Sequence, residues 1–431
     1  MTEDLLKSFQ QAYRNLELLP LIEENDLRRF RVEYGEDTID ELIQLIEDSP
    51  SLDGKVVFTG HRGCGKSTLL AEFSRRIGDK YFVVLFSIAD TIEMSDVNHI
   101  NVLFSIAVNL MLEAEARQID IPASTKNAID KWFATRIRTE ETSIAGEVGQ
   151  DFNILKFFSV KLKVDSKIRY ELKQEFERKV SELVAQLNII AATIQAVTKK
   201  QILVIIDDLD KLDLAVVNNL FKDNIKALCL PGFRIIYTIP VAALRETGLK
   251  PTIENETNDQ VVVMPVLKLF KKGDSHLANA TPFSETLKIL CEILTKRISN
   301  NLLESSTAEK IVLNSGGVLR ELIRISNECC RICLRLIRRK PEDKVIINDE
   351  ILDQAINNIR NDFAMPLGSV DYQILQTTYQ NFKPEDPKQQ EFLDLLHGLY
   401  VLEYRNRQNW YDVHPIVVEL LREEGLIDAS E

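Results

Sequence analysis

Nine consecutive residues, Gly60-His61-Arg62-Gly63-Cys64-Gly65-Lys66-Ser67-Thr68, satisfy the pattern G-x-x-x-x-G-K-S/T at every fixed position. The chemistry of such a run is the cradling of phosphates. Its glycines let the backbone curl until successive N–H groups point inward at phosphate oxygens, and the loop ends at the positive N-terminus of a helix. Lys66 would reach the β- and γ-phosphates of a nucleoside triphosphate, and Ser67 would ligate Mg²⁺. Gly60, Gly63, Cys64, Gly65, Lys66, Ser67 and Thr68 are therefore the candidate cofactor-binding residues.

A second group lies much later in the chain, where the apolar run Ile202-Leu203-Val204-Ile205-Ile206 ends in Asp207 and Asp208. A carboxylate at Asp207 suits Mg²⁺ held through its water shell. Asp208, at the carboxyl edge of a strand, is placed to orient or deprotonate an attacking water. Acids after a strand also cap helices. Paired with the glycine loop, the hydrolytic reading is the stronger of the two.

Both groups need elements that hold them. Lys55 to Thr59 is a short β-branched, apolar run, and Ser67 to Ile77 carries Leu69, Leu70, Phe73 and Ile77 at helical spacing, so strand, loop and helix follow in the order that phosphate binding requires. Further strands are expected at Tyr81–Ile88, Gln201–Ile206, Phe233–Ile239 and Val261–Leu267. Strands alternating with helices predict an α/β fold, a parallel sheet with helices on both faces. The separation of Lys66 from Asp207 exceeds a simple crossover and implies an insertion. Within it, residues 146–164 alternate apolar and polar side chains and read as a strand pair, and Lys167 to Thr198 reads as one long helix. The chain then divides into a helical leader (1–50), a nucleotide-binding domain (51–272), a helical segment (282–362) and a last segment (366–431) whose two helices and hairpin have the layout of a winged helix.

Composition narrows the class. The 431 residues are 45% hydrophobic and carry 66 acids against 53 Lys and Arg, a net charge of −13. That balance speaks against a protein whose whole surface clings to nucleic acid or acidic lipid. The most apolar stretch, Leu187 to Ile206, is interrupted by Gln195, Lys199, Lys200 and Gln201, so no membrane span is expected. The N-terminus has no signal-peptide core, and a soluble, cytoplasmic protein is expected. The six cysteines do not form a disulfide framework. Cys330 and Cys333 form one CxxC beside Cys329 inside a helical pattern, and buried structural thiols are expected there.

With GHRGCGKST, ILVIIDDLDKL, the strand FRIIYTIP and the run SGGVLRELIRI together, the chain resembles an AAA+ or related STAND ATPase of the branch that includes origin-recognition-like proteins, over about residues 30 to 431. The resemblance implies ATP and Mg²⁺ as cofactors, ATP hydrolysis, a helical lid and a winged helix behind it. It also implies a polar first sensor for the γ-phosphate, which falls on Thr238, and a lid arginine as second sensor, which falls on Arg320 after Gly316-Gly317. Active relatives carry Glu where this chain has Asp208, with Asp210 nearby as a substitute, so slow hydrolysis is expected. For an arginine finger given by a neighbouring subunit, Arg245 is the candidate, with a solvated helix charge as its alternative.

Partners follow from charge. Arg320, Arg324, Arg331, Arg335 and Arg338 recur on one helical face, which suits either a phosphate backbone or an acidic partner, or simply solvent. Residues 366–431 hold five basic and twelve acidic residues, so docking of that segment on DNA is disfavoured. The expected function is an ATP-driven switch whose nucleotide state controls self-assembly or engagement of a protein partner, in signalling or defence. Two alternatives stay open: an AAA+ ATPase assembling on DNA to load or remodel a partner, and a nucleotide-binding scaffold without turnover.

Overall fold

The computed structural model describes the chain apart from residues 1, 137–153, 278, 341–344, 406–407 and 429–431. Backbone contacts divide it into two compact units: residues 37–59 with 70–263, and residues 1–36 with 60–69 and 264–431.

The unit formed by 37–59 and 70–263 is built on a parallel five-stranded sheet. Strands β1 (Lys55–Gly60), β2 (Tyr81–Ser87), β3 (Gln201–Asp207), β4 (Arg234–Pro240) and β5 (Val261–Met264) lie in the order β2-β3-β4-β1-β5. β4 therefore separates the strand that leads into the glycine loop from the strand that ends in the acids. β1 and β4 are buried along their whole length, as strands covered on both faces must be. Register pairs Ser87 with Asp207 at the carboxyl ends of β2 and β3. β5 stops at Met264 instead of Leu267, because Pro265 lacks the N–H that a ladder requires.

Two expectations fail in the insertion. Ile154–Val164 is an α-helix, not half of a strand pair. Phe158 and Leu162, four residues apart, are both buried, and that helical period decides over the β-type composition of ILKFFSVKLKV. The rest of the expected pair, 146–153, lies outside the described residues. The long helix also resolves into two, Ser166–Phe176 and Val180–Thr198. The second of these has the length and apolar composition to cross a membrane, contrary to the sequence expectation. It packs on the His99–Ala116 helix, with Leu183, Leu187, Ile190 and Ile194 buried.

In the other unit, the leader contributes the helix Thr2–Asn15, whose Phe9 and Ala12 are buried, as is Leu16 just after it. Helices Ser284–Thr295, Ser305–Asn314, Leu319–Arg339 and Asp349–Ala364 follow β5. Cys329, Cys330 and Cys333 are fully buried in the third of these, and burial pushes the Cys333 thiol up to about 12, so they act as core side chains. The chain closes with helices Ser369–Asn381 and Gln390–His397, an antiparallel hairpin of β6 (Val401–Arg405) and β7 (Asn409–Val413), and the helix Pro415–Glu423. Tyr404 and Trp410 stack across that hairpin at 4.5 Å between ring centroids.

Candidate functional site

The glycine loop follows β1 directly and ends where the helix Lys66–Ile77 begins, as the sequence required. Lys66 is buried, and its Nζ donates to the carbonyls of Gly60 at 3.0 Å and His61 at 2.7 Å. Thr68 Oγ1 accepts the Leu21 N–H at 3.0 Å, which ties the leader to the loop. Cys64 is buried. Tyr34 reaches the loop from the same leader: its hydroxyl stands where a Cβ on Gly65 would fall, and Gly65 has a left-handed φ of +100°. Burial raises Tyr34 to about 12 against the opposing pull of Arg31 and Arg297, so its hydroxyl keeps its proton and can donate.

Arg320 arrives at the loop from the first turn of the Leu319–Arg339 helix. Its backbone N–H donates to the Gly63 carbonyl at 2.9 Å, and its side chain runs over Gly63. A Cβ on Gly63 would lie under 3.0 Å from Arg320 Cβ, with Cδ at 3.1 Å and Cγ at 3.2 Å. Gly63 also has a φ of +79°, a conformation that costs a side chain dearly. Burial, and next the Arg62 guanidinium, lower the Arg320 pKa. Arg62 Nε is itself buried with no hydrogen-bond partner among the described residues. Two guanidinium groups and an unsatisfied donor at a glycine loop make a setting that an anion stabilises.

The hairpin reaches the loop too. His61 Nε2 accepts the Glu403 N–H at 2.7 Å, and Tyr404 Oη donates to the Gly316 carbonyl at 2.7 Å. His61 and Glu403 are both buried.

The acids belong to the sheet unit and are held there by their own neighbours. Asp208 takes a left-handed φ of 68° just past β3. Ser87 Oγ donates to its Oδ2 at 2.7 Å, and Lys211 Nζ pairs with its Oδ1 at 2.6 Å. Thr238, the expected first sensor, is fully buried at the end of β4. Its hydroxyl donates to the Ile206 carbonyl and accepts the Leu209 N–H, each at 3.1 Å. It thus fixes the backbone on either side of Asp207 and Asp208, with its one proton already committed. Asp207, Asp208 and Asp210 are all buried, and one carboxylate oxygen from each lies within 4.8 Å of the other two. Three hard oxygen donors crowded out of solvent suit Mg²⁺, which would relieve their repulsion. Arg245 closes a 3-10 turn just after β4.

Several residues at these places escaped the sequence reading. Arg62 occupies an unspecified position of the loop pattern, and Tyr34 and Glu403 meet the loop only through the fold. Ser87 left one trace, as the polar end of an otherwise apolar strand.

Residues 36–236 match the KAP family P-loop domain. With the parallel sheet and the loop between β1 and its helix, this makes the fold that of a P-loop NTPase. No curated protein sequence matches the chain. Among solved structures, Cdc6p from Pyrobaculum aerophilum aligns over 94% of this chain and 97% of its own at 11% identity, with a TM-score of 0.38. The Aeropyrum pernix ORC1 protein, solved in complex with DNA, aligns over 96% and 97% at 11% identity, TM-score 0.39. The Thermotoga maritima RuvB Holliday junction branch migration motor aligns over 96% and 100% at 11% identity, TM-score 0.38.

Proposed function

We propose that this chain is an ATP-binding and ATP-hydrolysing switch of the AAA+/STAND type, and that its nucleotide state controls self-assembly into a homo-oligomer or engagement of a protein partner. In this reading residues 51–272 form the ATPase domain, 282–362 the lid and 366–431 a winged helix. The observation that carries the proposal is the pairing of Arg62 and Arg320 beside Gly63, with Arg62 Nε lacking a partner among the described residues. An anion at the loop would supply the missing acceptor.

The roles divide by chemistry. The loop N–H groups and Lys66 hold phosphate oxygens, and Arg320 adds positive charge from the lid. Ser67 and Asp207 are the magnesium ligands, Asp207 through water. When bound, the ion neutralises charge that develops on the phosphates during transfer. Asp208 orients the attacking water once it is released from Lys211, and Thr238 and Ser87 position the turn that carries it. Arg245 remains the candidate for a finger donated to a neighbouring subunit.

One observation favours a second reading, a nucleotide-binding scaffold without turnover: both carboxylate oxygens of Asp208 are engaged, by Ser87 and Lys211. Steady-state phosphate release by wild type, Lys66→Ala and Asp208→Ala, with particle size followed with and without ATP and duplex DNA, separates the readings. Turnover lost in both variants, with assembly that requires ATP, supports the switch. Tight ATP binding without phosphate release, abolished only by Lys66→Ala, replaces it with the scaffold. Assembly that needs DNA moves the function to an ATPase acting on nucleic acid.

A further inference from the structure

A second cationic feature lies away from the glycine loop, where the leader helix Thr2–Asn15 packs on the distal half of the Leu319–Arg339 helix. Between them is a cavity of about 310 Å³, into which Arg14 of one helix and Arg331, Arg335 and Arg338 of the other project, with Tyr13 and Leu334 in its wall. Both walls are fixed. Phe9, Ala12 and Leu16 on one side and Leu334 and Ile337 on the other are buried, and Asn327 Nδ2 donates to the Leu16 carbonyl at 3.1 Å.

The charges in this cavity are poorly explained by the helices alone. Arg331 is paired with Glu328 at 2.7 Å, whereas Arg14, Arg335 and Arg338 have no ion pair among the described residues. A helix C-terminus favours basic residues within its last turn, which accounts for Arg14 and Arg338; Arg331 has Glu328, and Arg335 has neither. Four guanidinium groups, one of them paired with Glu328, face this one hollow, where a multiply charged anion would meet them together. Their planar forks match phosphate oxygens two at a time.

We infer that this cavity is a binding site for a compact, multiply charged phosphate anion, of the size of a di- or triphosphate group, separate from the glycine loop. Its volume is at the lower end of the ~300–1,000 Å³ of small-ligand pockets. Its cations come from two helices, Arg14 from one and Arg331, Arg335 and Arg338 along one face of the other, so that a compact anion between the helices meets both. The net charge of −13 restricts such an anion to a local patch of this kind.

The test is calorimetric titration of inorganic tripolyphosphate into full-length Lys66→Ala, without Mg²⁺ and at about 150 mM salt to screen diffuse attraction. The Lys66 variant weakens the loop as a competing site. The expected result is saturable binding of one tripolyphosphate per chain, weakened roughly tenfold or more when Arg335→Glu or Arg14→Glu is added. Arg339→Glu, a neighbouring charge that does not line the cavity, should leave it unchanged. These arginines are exposed, and circular dichroism would verify that each variant keeps its fold. Absence of saturable binding overturns the proposal. So does equal weakening by Arg339→Glu, which would mean diffuse charge, and so does a short DNA duplex binding through Arg335 where tripolyphosphate does not.

Discussion

Replacing Gly63 by alanine should damage the contact between the loop and Arg320 more than it damages anything else, and the size of the effect can be worked out. An L side chain at a φ of +79° costs ~1–2 kcal/mol. The new Cβ would fall under 3.0 Å from Arg320 Cβ, an atom that no rotamer change can move, so the two backbones must separate. That separation stretches the 2.9 Å hydrogen bond from Arg320 N–H to the Gly63 carbonyl, worth ~0.5–1.5 kcal/mol. The sum is a loss of ~1.5–3.5 kcal/mol. Urea unfolding followed by Trp410 fluorescence reads it out in a Trp132→Phe background, because the chain has two tryptophans and Trp410 is buried in the same unit as the loop. Arg320→Gly removes the clashing atom at a cost of ~1 kcal/mol for glycine in a helix. Gly63→Ala with Arg320→Gly should therefore fall short of additivity by about 1 kcal/mol or more. Additivity to within ~0.5 kcal/mol would refute the steric argument.

Three further outcomes are expected. His61→Ala removes the acceptor of the buried Glu403 N–H and should lower stability by ~1–3 kcal/mol in the Trp410-reported transition; an unchanged urea midpoint would sink the claim that this bond ties the hairpin to the loop. His414 is held neutral, its pKa pushed from 6.5 down to about 3 by burial and secondarily by Arg324, and its Nδ1 accepts the Ile416 N–H. Because the unfolded chain takes up the proton first, its contribution to stability is full above pH 6.5 and declines as pH falls toward 3, at up to ~1.4 kcal/mol per pH unit. His414→Asn, which keeps a capping acceptor, should flatten that decline in pH-dependent urea melts, and an identical slope would refute the assignment. If the switch reading holds, Lys211→Ala frees Asp208 Oδ1 and should raise the rate of phosphate release several-fold, by up to about one decade for ~1.4 kcal/mol, whereas loss of turnover would make Lys211 part of the machinery.

What was legible in the sequence is what depends on near neighbours. The strand into Gly60, the helix from Lys66 and the acids closing β3 are each set by a dozen adjacent residues, and all fell where the pattern placed them. Short apolar runs are harder, because period and composition disagree; Ile154–Val164 was misread for that reason. The partners of the site were largely hidden, since they come from far along the chain. Glu403 is 342 positions from the His61 it meets, and no local pattern encodes that meeting. Thr238 shows the limit of reasoning by role: a sensor was expected of its hydroxyl, whose proton serves the Ile206 carbonyl.

The loop's dependence on Arg320 and Glu403 also has a consequence in time. During synthesis, Gly63 leaves the ribosome long before the residues that grip it, and at ~5–20 residues per second the wait for Glu403 is on the order of 20–70 s. For that interval the nascent chain carries every residue of the phosphate-binding pattern without the contacts that brace it. Competence to hold a nucleotide would thus be acquired late, after the hairpin is made. A fragment ending soon after β5 should fold its sheet and still bind ATP poorly.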